Sequence, residues 1–262
     1  MFPILLKLGP FTLHTYGALV ALGVYLGHRR ILTLARRQNL EEKTVIDLTW
    51  IALLAGLAGA RILYVAFHWD EYRAAPLDIL KLWQGGLVWY GGLLAGILAG
   101  VVWAKRKKAP ILRIADIFAP SVALAHGIGR LGCFFAGCCY GRACSLPWAV
   151  TYRSTNALAP LGVPLHPSPL YEAALGFLLF LGLNHLLRSD KLSKVIGPGI
   201  IALLYVMAYS VIRFIVEFTR NDDRGPIFFH LTFTQWIAVA GWILAETGLV
   251  VLLVQRKKNA LR

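Results

Sequence analysis

Charge is scarce in this chain of 262 residues: 15% are charged and only 13 are acidic. Low-complexity tracts are absent, and no internal repeat is visible by eye. With 58% hydrophobic residues falling in long runs instead of alternating at helical period, a soluble globular domain is excluded and a single membrane domain over residues 1–262 is expected. A cleavable signal sequence is also lacking, because Pro3, Gly9 and Pro10 stand where a basic stretch and short apolar core would be needed. The first span is expected to insert and stay. Acidic residues do not offset the 27 lysines and arginines, and the net charge of +14 would suggest nucleic acid in a soluble protein. In a membrane chain the same charges set orientation, so no nucleic-acid partner is expected.

The fold expected is all-α and polytopic, because a spanning helix needs about 20 mainly apolar residues. Seven candidates are Leu13 to Ala35, Val45 to Phe67, Gly85 to Ala104, Ile114 to Gly137, Pro169 to Leu187, Gly197 to Phe218 and Thr232 to Val254. Alternate connections differ sharply in charge. One side collects Arg29, Arg30, Arg36, Arg37, Lys43, Lys105, Arg106, Lys107, Lys108, Arg113, Arg188, Lys191, Lys194, Arg256, Lys257, Lys258 and Arg262. The other has Lys7, Arg73, Lys81, Arg142, Arg153, Arg220 and Arg224, diluted by Asp70, Glu71, Asp78, Asp222 and Asp223. The positive-inside rule then puts the N-terminus outside and the C-terminus in the cytoplasm.

The remaining cations, Arg61, Arg130 and Arg213, fall inside predicted spans, where a charge costs at least ~2.5–3.5 kcal/mol and needs a partner or an anion. Arg213 has Glu217 at i+4. For Arg61, snorkelling to the interface or pairing with a buried carboxylate is as good a reading as a functional one. All three lie in the last third of spans that run from inside to outside. The outer cavity this predicts is shared with Tyr16, Tyr90, His166, Ser168, Tyr171 and Glu172, and its guanidinium groups suit a phospholipid phosphate. A connection over about 138–168, containing Cys144, Trp148 and Tyr152, would lie at the outer face. The dense glycines Gly91, Gly92, Gly96 and Gly100 read first as helix-packing positions.

Several segments in order resemble the prolipoprotein diacylglyceryl transferase family: Gly9-Pro10-Phe11 with His14-Thr15-Tyr16-Gly17, Gly85 through Gly92, Gly129-Arg130-Leu131-Gly132 through Gly141, His166-Pro167-Ser168-Pro169-Leu170-Tyr171-Glu172, and Arg213 through Phe218 with Arg220. The resemblance covers nearly the whole chain. It implies an enzyme that moves diacylglyceryl from phosphatidylglycerol to the lipobox cysteine of a prolipoprotein, releasing glycerol 1-phosphate, at the outer leaflet of a bacterial inner membrane. No cofactor is expected. Arg130 and Arg213 match positions assigned to the headgroup, and Tyr16, Gly141 and Glu217 match other functional positions. His166, Tyr171 and Arg220 join them as expected substrate-binding residues. Asp116 aligns as well, although a helix-end acid is at least as good a reading.

This sequence departs from the family pattern within the expected site. Tyr90 stands where the resemblance expects histidine, Cys133 where it expects asparagine, and Cys138 where it expects glutamate. A phenol is a poor base at neutral pH, and His126, four residues before Arg130 and on the same helical face, is a candidate substitute, with a helix-packing histidine bonded to a carbonyl an equal reading. The expected catalytic set is therefore Tyr90, His126, Arg130, Arg213 and Glu217.

All four cysteines fall in Cys133-x4-Cys138-Cys139-x4-Cys144. One or two disulfides are the first expectation in an oxidising outer compartment. The spacing is a weak match to common zinc sites, and no metal is assigned. A cysteine that accepted diacylglyceryl would form an inert thioether, which excludes a covalent alkyl relay; a thioester relay is not excluded. The competing readings are a cysteine-dependent acyltransferase or thiol-disulfide enzyme, and a lipid-binding relative without catalysis.

Overall fold

The computed structural model describes residues 2–9, 11–82, 85–189, 196–221 and 227–260. Pro10, Lys191, Lys194, Asp222, Asp223, Arg224 and Arg262, used above, lie outside the described residues. A hairpin of β1 (Ile4–Leu8) and β2 (Phe11–His14) leads into α1 (Thr15–Arg37), followed by α2 (Glu42–Phe67), α3 (Trp69–Tyr72) and a 3-10 turn at Pro76–Leu80. Then come α4 (Trp89–Arg106), α5 (Ile111–Ala136), the short pair β3 (Val150–Thr151) and β4 (Pro164–Leu165), α6 (Ser168–Arg188) and α7 (Ile200–Glu217). A last small hairpin, β5 (Ile227–Phe228) and β6 (Leu231–Thr232), precedes α8 (Phe233–Ala260).

Among the described residues, six helices are long and apolar enough to cross a membrane: α1, α2, α5, α6, α7 and α8. They match six of the expected spans to within a few residues. The segment expected as a third span from Gly85 differs. Gly85 and Gly86 have φ of +84° and +74°, a left-handed conformation that a helix does not continue, so α4 begins at Trp89. Its 18 residues end on Lys105 and Arg106, and it is not among the six. Large apolar side chains such as Leu54, Leu98, Leu178 and Leu244 stand exposed along the long helices, as a lipid solvent requires.

The chain divides into two compact units, residues 32–114 and residues 1–31 with 115–262. Within the first, α2 packs on α4 through glycine. A Cβ on Gly59 would come 2.6 Å from the Gly91 carbonyl oxygen, and one on Gly96 would come 3.0 Å from that of Ala52. Backbones can approach this closely only without side chains, so the glycines around Tyr90 serve packing. Arg61, 5% exposed, spends its charge in the same unit on backbone: it donates to the carbonyl oxygens of Asp78 (2.7 Å), Ile79 (2.9 Å), Gly85 (2.7 Å) and Gly86 (3.1 Å). Its guanidinium also lies over the rings of Tyr64 and Tyr72. Arg61 is thus held by backbone carbonyls and not by the buried carboxylate that the sequence reading expected.

In the second unit, α5, α6 and α7 share a core around Ala119, Leu183 and Ile201. Asp116 of α5 accepts from the backbone N–H groups of Gly199 (2.7 Å) and Ala202 (2.9 Å), and so caps the N-terminus of α7 from a neighbouring helix. Its role is that of a helix-end acid. The connection over 138–168 has its own small core of Tyr152, Ala159 and Leu165.

Candidate functional site

Three helices of the second unit bring their polar residues to one carboxylate, Glu172, in the first turns of α6 and 2% exposed. Its Oε1 lies 3.0 Å from Arg130 Nη2 and 3.1 Å from His126 Nε2, both on α5, and accepts from the Tyr209 hydroxyl of α7 at 2.9 Å. Arg213, one turn beyond Tyr209, places Nη1 3.9 Å from Glu172 Oε2 and Nη2 2.7 Å from Glu217 Oε2. Spacing by four residues puts His126 with Arg130 on one face of α5, and Tyr209, Arg213 and Glu217 on one face of α7.

Glu217 is fully buried and receives a second bond, 2.8 Å, from the Thr232 hydroxyl. That hydroxyl also caps α8: Gln235 N–H donates to it, while Thr232 N–H donates to Gln235 Oε1 at 3.0 Å, a reciprocal capping box. The cluster thus holds two guanidinium groups against two carboxylates, the pairing that buried charge demands. Two donors remain without an oxygen acceptor. Arg213 Nη1 is buried with no hydrogen-bond partner among the described residues, and Arg130 Nη1 faces sulfur, 3.5 Å from Cys139 Sγ and 4.0 Å from Cys133 Sγ.

The His126 ring is held by competing demands on one atom. Arg130 Nε donates to Nε2 at 3.1 Å, the distance that also separates Nε2 from Glu172 Oε1. Nε2 satisfies one of these at a time. As an acceptor from Arg130 it leaves the proton on Nδ1; as a donor to Glu172 it leaves the lone pair on Nδ1.

The thiols beside Arg130 are gathered by the end of α5. Gly137, with φ of +75°, donates its N–H to the Phe134 carbonyl, and Cys138 N–H reaches back to that of Cys133 at 3.1 Å, a Schellman closure. This folds Cys138 over the last turn, and Cys139 takes a left-handed φ of +58°. The sulfurs of Cys133, Cys138 and Cys139 lie within 4.8 Å of one another. Cys133, Cys138, Cys139 and Cys144, the candidates for disulfides, are free in this structure. Cys144 stays out of the group because its backbone N–H pairs with the Pro164 carbonyl at 3.0 Å. Outside the membrane-spanning part, hydrogen bonds from Cys133 and Cys138, then Arg220 and Arg130, hold the Cys139 thiol well below its usual range, while Cys133 and Cys139 push that of Cys138 far up. Burial and the neighbouring thiols raise the Tyr152 phenol to about 12.

The other expected residues divide among three places. Gly141 and Arg220 pair in an isolated bridge, and Gly141 N–H also donates to the His166 carbonyl at 3.1 Å. A Cβ at position 141 would lie 2.5 Å from the His166 Cβ, so only glycine fits. His166 Nδ1 is 3.2 Å from the Tyr171 hydroxyl, which accepts from Trp148 Nε1 at 2.7 Å; these form a group apart from Glu172. Tyr16 packs on Gly132, with the cysteines and Arg130 in electrostatic range. Tyr90 belongs to the other compact unit, edge-on to Trp89. Sequence reasoning named Glu172 only as a polar residue at the right depth and missed Tyr209. The i−4 spacing of Tyr209 from Arg213 was the available signal.

Comparison with known proteins agrees with these segments. The family model described as "Prolipoprotein diacylglyceryl transferase" matches residues 3–252. A phosphatidylglycerol–prolipoprotein diacylglyceryl transferase of Finegoldia magna is 38% identical over 208 residues, 79% of this chain and 79% of that protein. Proteins of the same name from Clostridium tetani, 33% identical over 87% of this chain and 88% of the relative, and Bordetella avium, 33% over 98% and 96%, are also similar.

Proposed function

The chain belongs to the prolipoprotein diacylglyceryl transferase family, and on that premise we propose that it transfers diacylglyceryl from phosphatidylglycerol to the lipobox cysteine thiol of a prolipoprotein, releasing glycerol 1-phosphate. The reaction takes place at the outer leaflet of a bacterial inner membrane, with the N-terminus outside and the C-terminus in the cytoplasm, the orientation favoured by the distribution of lysine and arginine.

The observation that carries this reading is a pair of buried guanidinium nitrogens with no hydrogen bond to oxygen. Glu172 and Glu217 hold Arg130 and Arg213 by one edge each, which leaves Arg130 Nη1 and Arg213 Nη1 without an oxygen acceptor. Buried N–H groups of this kind are complementary to an anion, and a phosphate offers the oxygens. In the transfer, the acceptor sulfur attacks the glyceryl carbon, the carbon–oxygen bond breaks, and its electron pair stays on the phosphate oxygen. The two arginines stabilise charge that grows on that oxygen, in a site where the carboxylates have already fixed their orientation. Tyr16, Gly141, His166, Tyr171 and Arg220 belong to the surroundings of the two substrates.

His126 serves as the base only in the arrangement in which Nε2–H donates to Glu172, because only then does Nδ1 carry a lone pair. The carboxylate would stabilise the imidazolium that forms.

Incubation of the purified protein with phosphatidylglycerol and a lipobox peptide tests the proposal. The expected products are the thioether-linked diacylglyceryl peptide and glycerol phosphate. Binding of phosphatidylglycerol without either product would instead leave a lipid-binding relative of the family.

A further inference from the structure

Three thiols converge at one point of this chain. Cys133 is in the last turn of α5, and the Schellman closure at Gly137 with the left-handed turn at Cys139 returns Cys138 and Cys139 to it. Their sulfurs all fall within 4.8 Å of one another, and no fourth histidine, cysteine or carboxylate joins them among the described residues. All three are free, and Cys138 and Cys139 are only partly buried. Sulfurs that ligate one tetrahedral zinc at about 2.3 Å stand roughly 3.8 Å apart, so small side-chain movements would close this triangle on an ion.

We propose that Cys133, Cys138 and Cys139 bind one Zn2+ ion, with the fourth coordination position open to the thiol of the acceptor substrate. Charge supports divalent zinc: three thiolates and the ion carry one net negative charge, and the Arg130 guanidinium lies 3.5 Å from Cys139 Sγ and 4.0 Å from Cys133 Sγ to offset it. Stereochemistry supports it too. Zinc prefers four ligands, and three protein ligands with one open position is its catalytic pattern, whereas monovalent copper is satisfied by three thiolates.

The role of the fourth position rests on the transferase reading given above. The acceptor thiol binds the ion as a thiolate, its proton passing to His126. The sulfur lone pair then attacks the glyceryl carbon, the carbon–oxygen bond breaks towards the phosphate at Arg130 and Arg213, and the neutral thioether formed is a poor ligand that departs. Zinc keeps its oxidation state throughout, and its fourth position is open again once the thioether has left. A thiol acidified by a metal can give its proton to His126 without the histidine that the resembling pattern expects at position 90. The two cysteines that replace asparagine and glutamate in the resembling pattern, Cys133 and Cys138, then supply the means of activation themselves.

Metal analysis of the full chain, purified reduced in detergent, equilibrated with Zn2+ and dialysed, tests the site directly. One zinc per chain is expected in the wild type and in Cys144→Ser, and less than a tenth of that in Cys133→Ser, Cys138→Ser and Cys139→Ser. Cobalt substitution should give the intense visible bands of tetrahedral thiolate coordination, and these should shift when a lipobox peptide is added but not its cysteine-to-serine analogue. Absence of metal from the folded, reduced wild type would overturn the site, as would retention of zinc by all three variants or loss of the free thiols to a disulfide. Zinc binding with a cobalt spectrum unmoved by the peptide would overturn the open position. The transferase reading fails separately, if zinc-loaded wild type makes no thioether product; transfer unchanged by chelation and by Cys133→Ser would instead keep that reading and remove the metal.

Discussion

Arg130 Nη2 stands 3.0 Å from Glu172 Oε1, and the carboxylate is almost wholly buried. The pair joins α5 to α6 across 42 positions of sequence and fixes which edge of the guanidinium remains for a ligand. Removing one member of such a pair leaves the other charge uncompensated, which costs about 3–5 kcal/mol. Glu172→Gln should therefore lower the unfolding temperature in detergent and reduce transfer by about 10²-fold or more. Full activity in that variant, measured with phosphatidylglycerol and a lipobox peptide, would remove Glu172 from the organisation of the site.

His126 makes a sharper case because its two arrangements predict different pH behaviour. If Nδ1 takes the thiol proton, His126→Ala loses about 10²-fold in rate at neutral pH, and the loss shrinks as rising pH ionises the acceptor thiol in solution. We expect that profile. A loss constant with pH would assign His126 to the support of Arg130 and Glu172 alone.

Asp116 should separate from the chemistry altogether. Its carboxylate accepts from Gly199 and Ala202 at the start of α7, and loss of a cap costs about 1–2 kcal/mol. Asp116→Ala should unfold at lower temperature while kcat per folded molecule is retained, as measured by thermal unfolding alongside the transfer assay.

Arg61 carries a fourth expectation, in the other compact unit. Four backbone carbonyls between Asp78 and Gly86 depend on its guanidinium, and hydrogen bonds to a charged group contribute about 1.5–3 kcal/mol each at most. Arg61→Met should increase proteolysis at residues 76–88 by an order of magnitude, with no change in the affinity for phosphatidylglycerol measured by titration. Weakened lipid binding without added cleavage would contradict the structural role.

Hydrophobic length alone determined the membrane class and six of the long helices, because a bilayer imposes one requirement, roughly 20 apolar residues, that can be read without knowing any contact. Sequence spacing also determined the Arg213–Glu217 pair and the shared face of His126 and Arg130, since residues four apart in a helix meet wherever the helix lies. Tertiary structure decided everything that depends on two helices at once. It made Glu172 the meeting point of α5, α6 and α7 and turned Asp116 into a cap for α7. It bound Arg61 to backbone carbonyls and ended the run of cysteines in a turn that gathers three thiols and excludes Cys144. The run of four cysteines was legible; its grouping was not, because two left-handed residues after α5 set where each sulfur falls. Local pattern fixes what a helix presents, and only packing fixes what it is presented to.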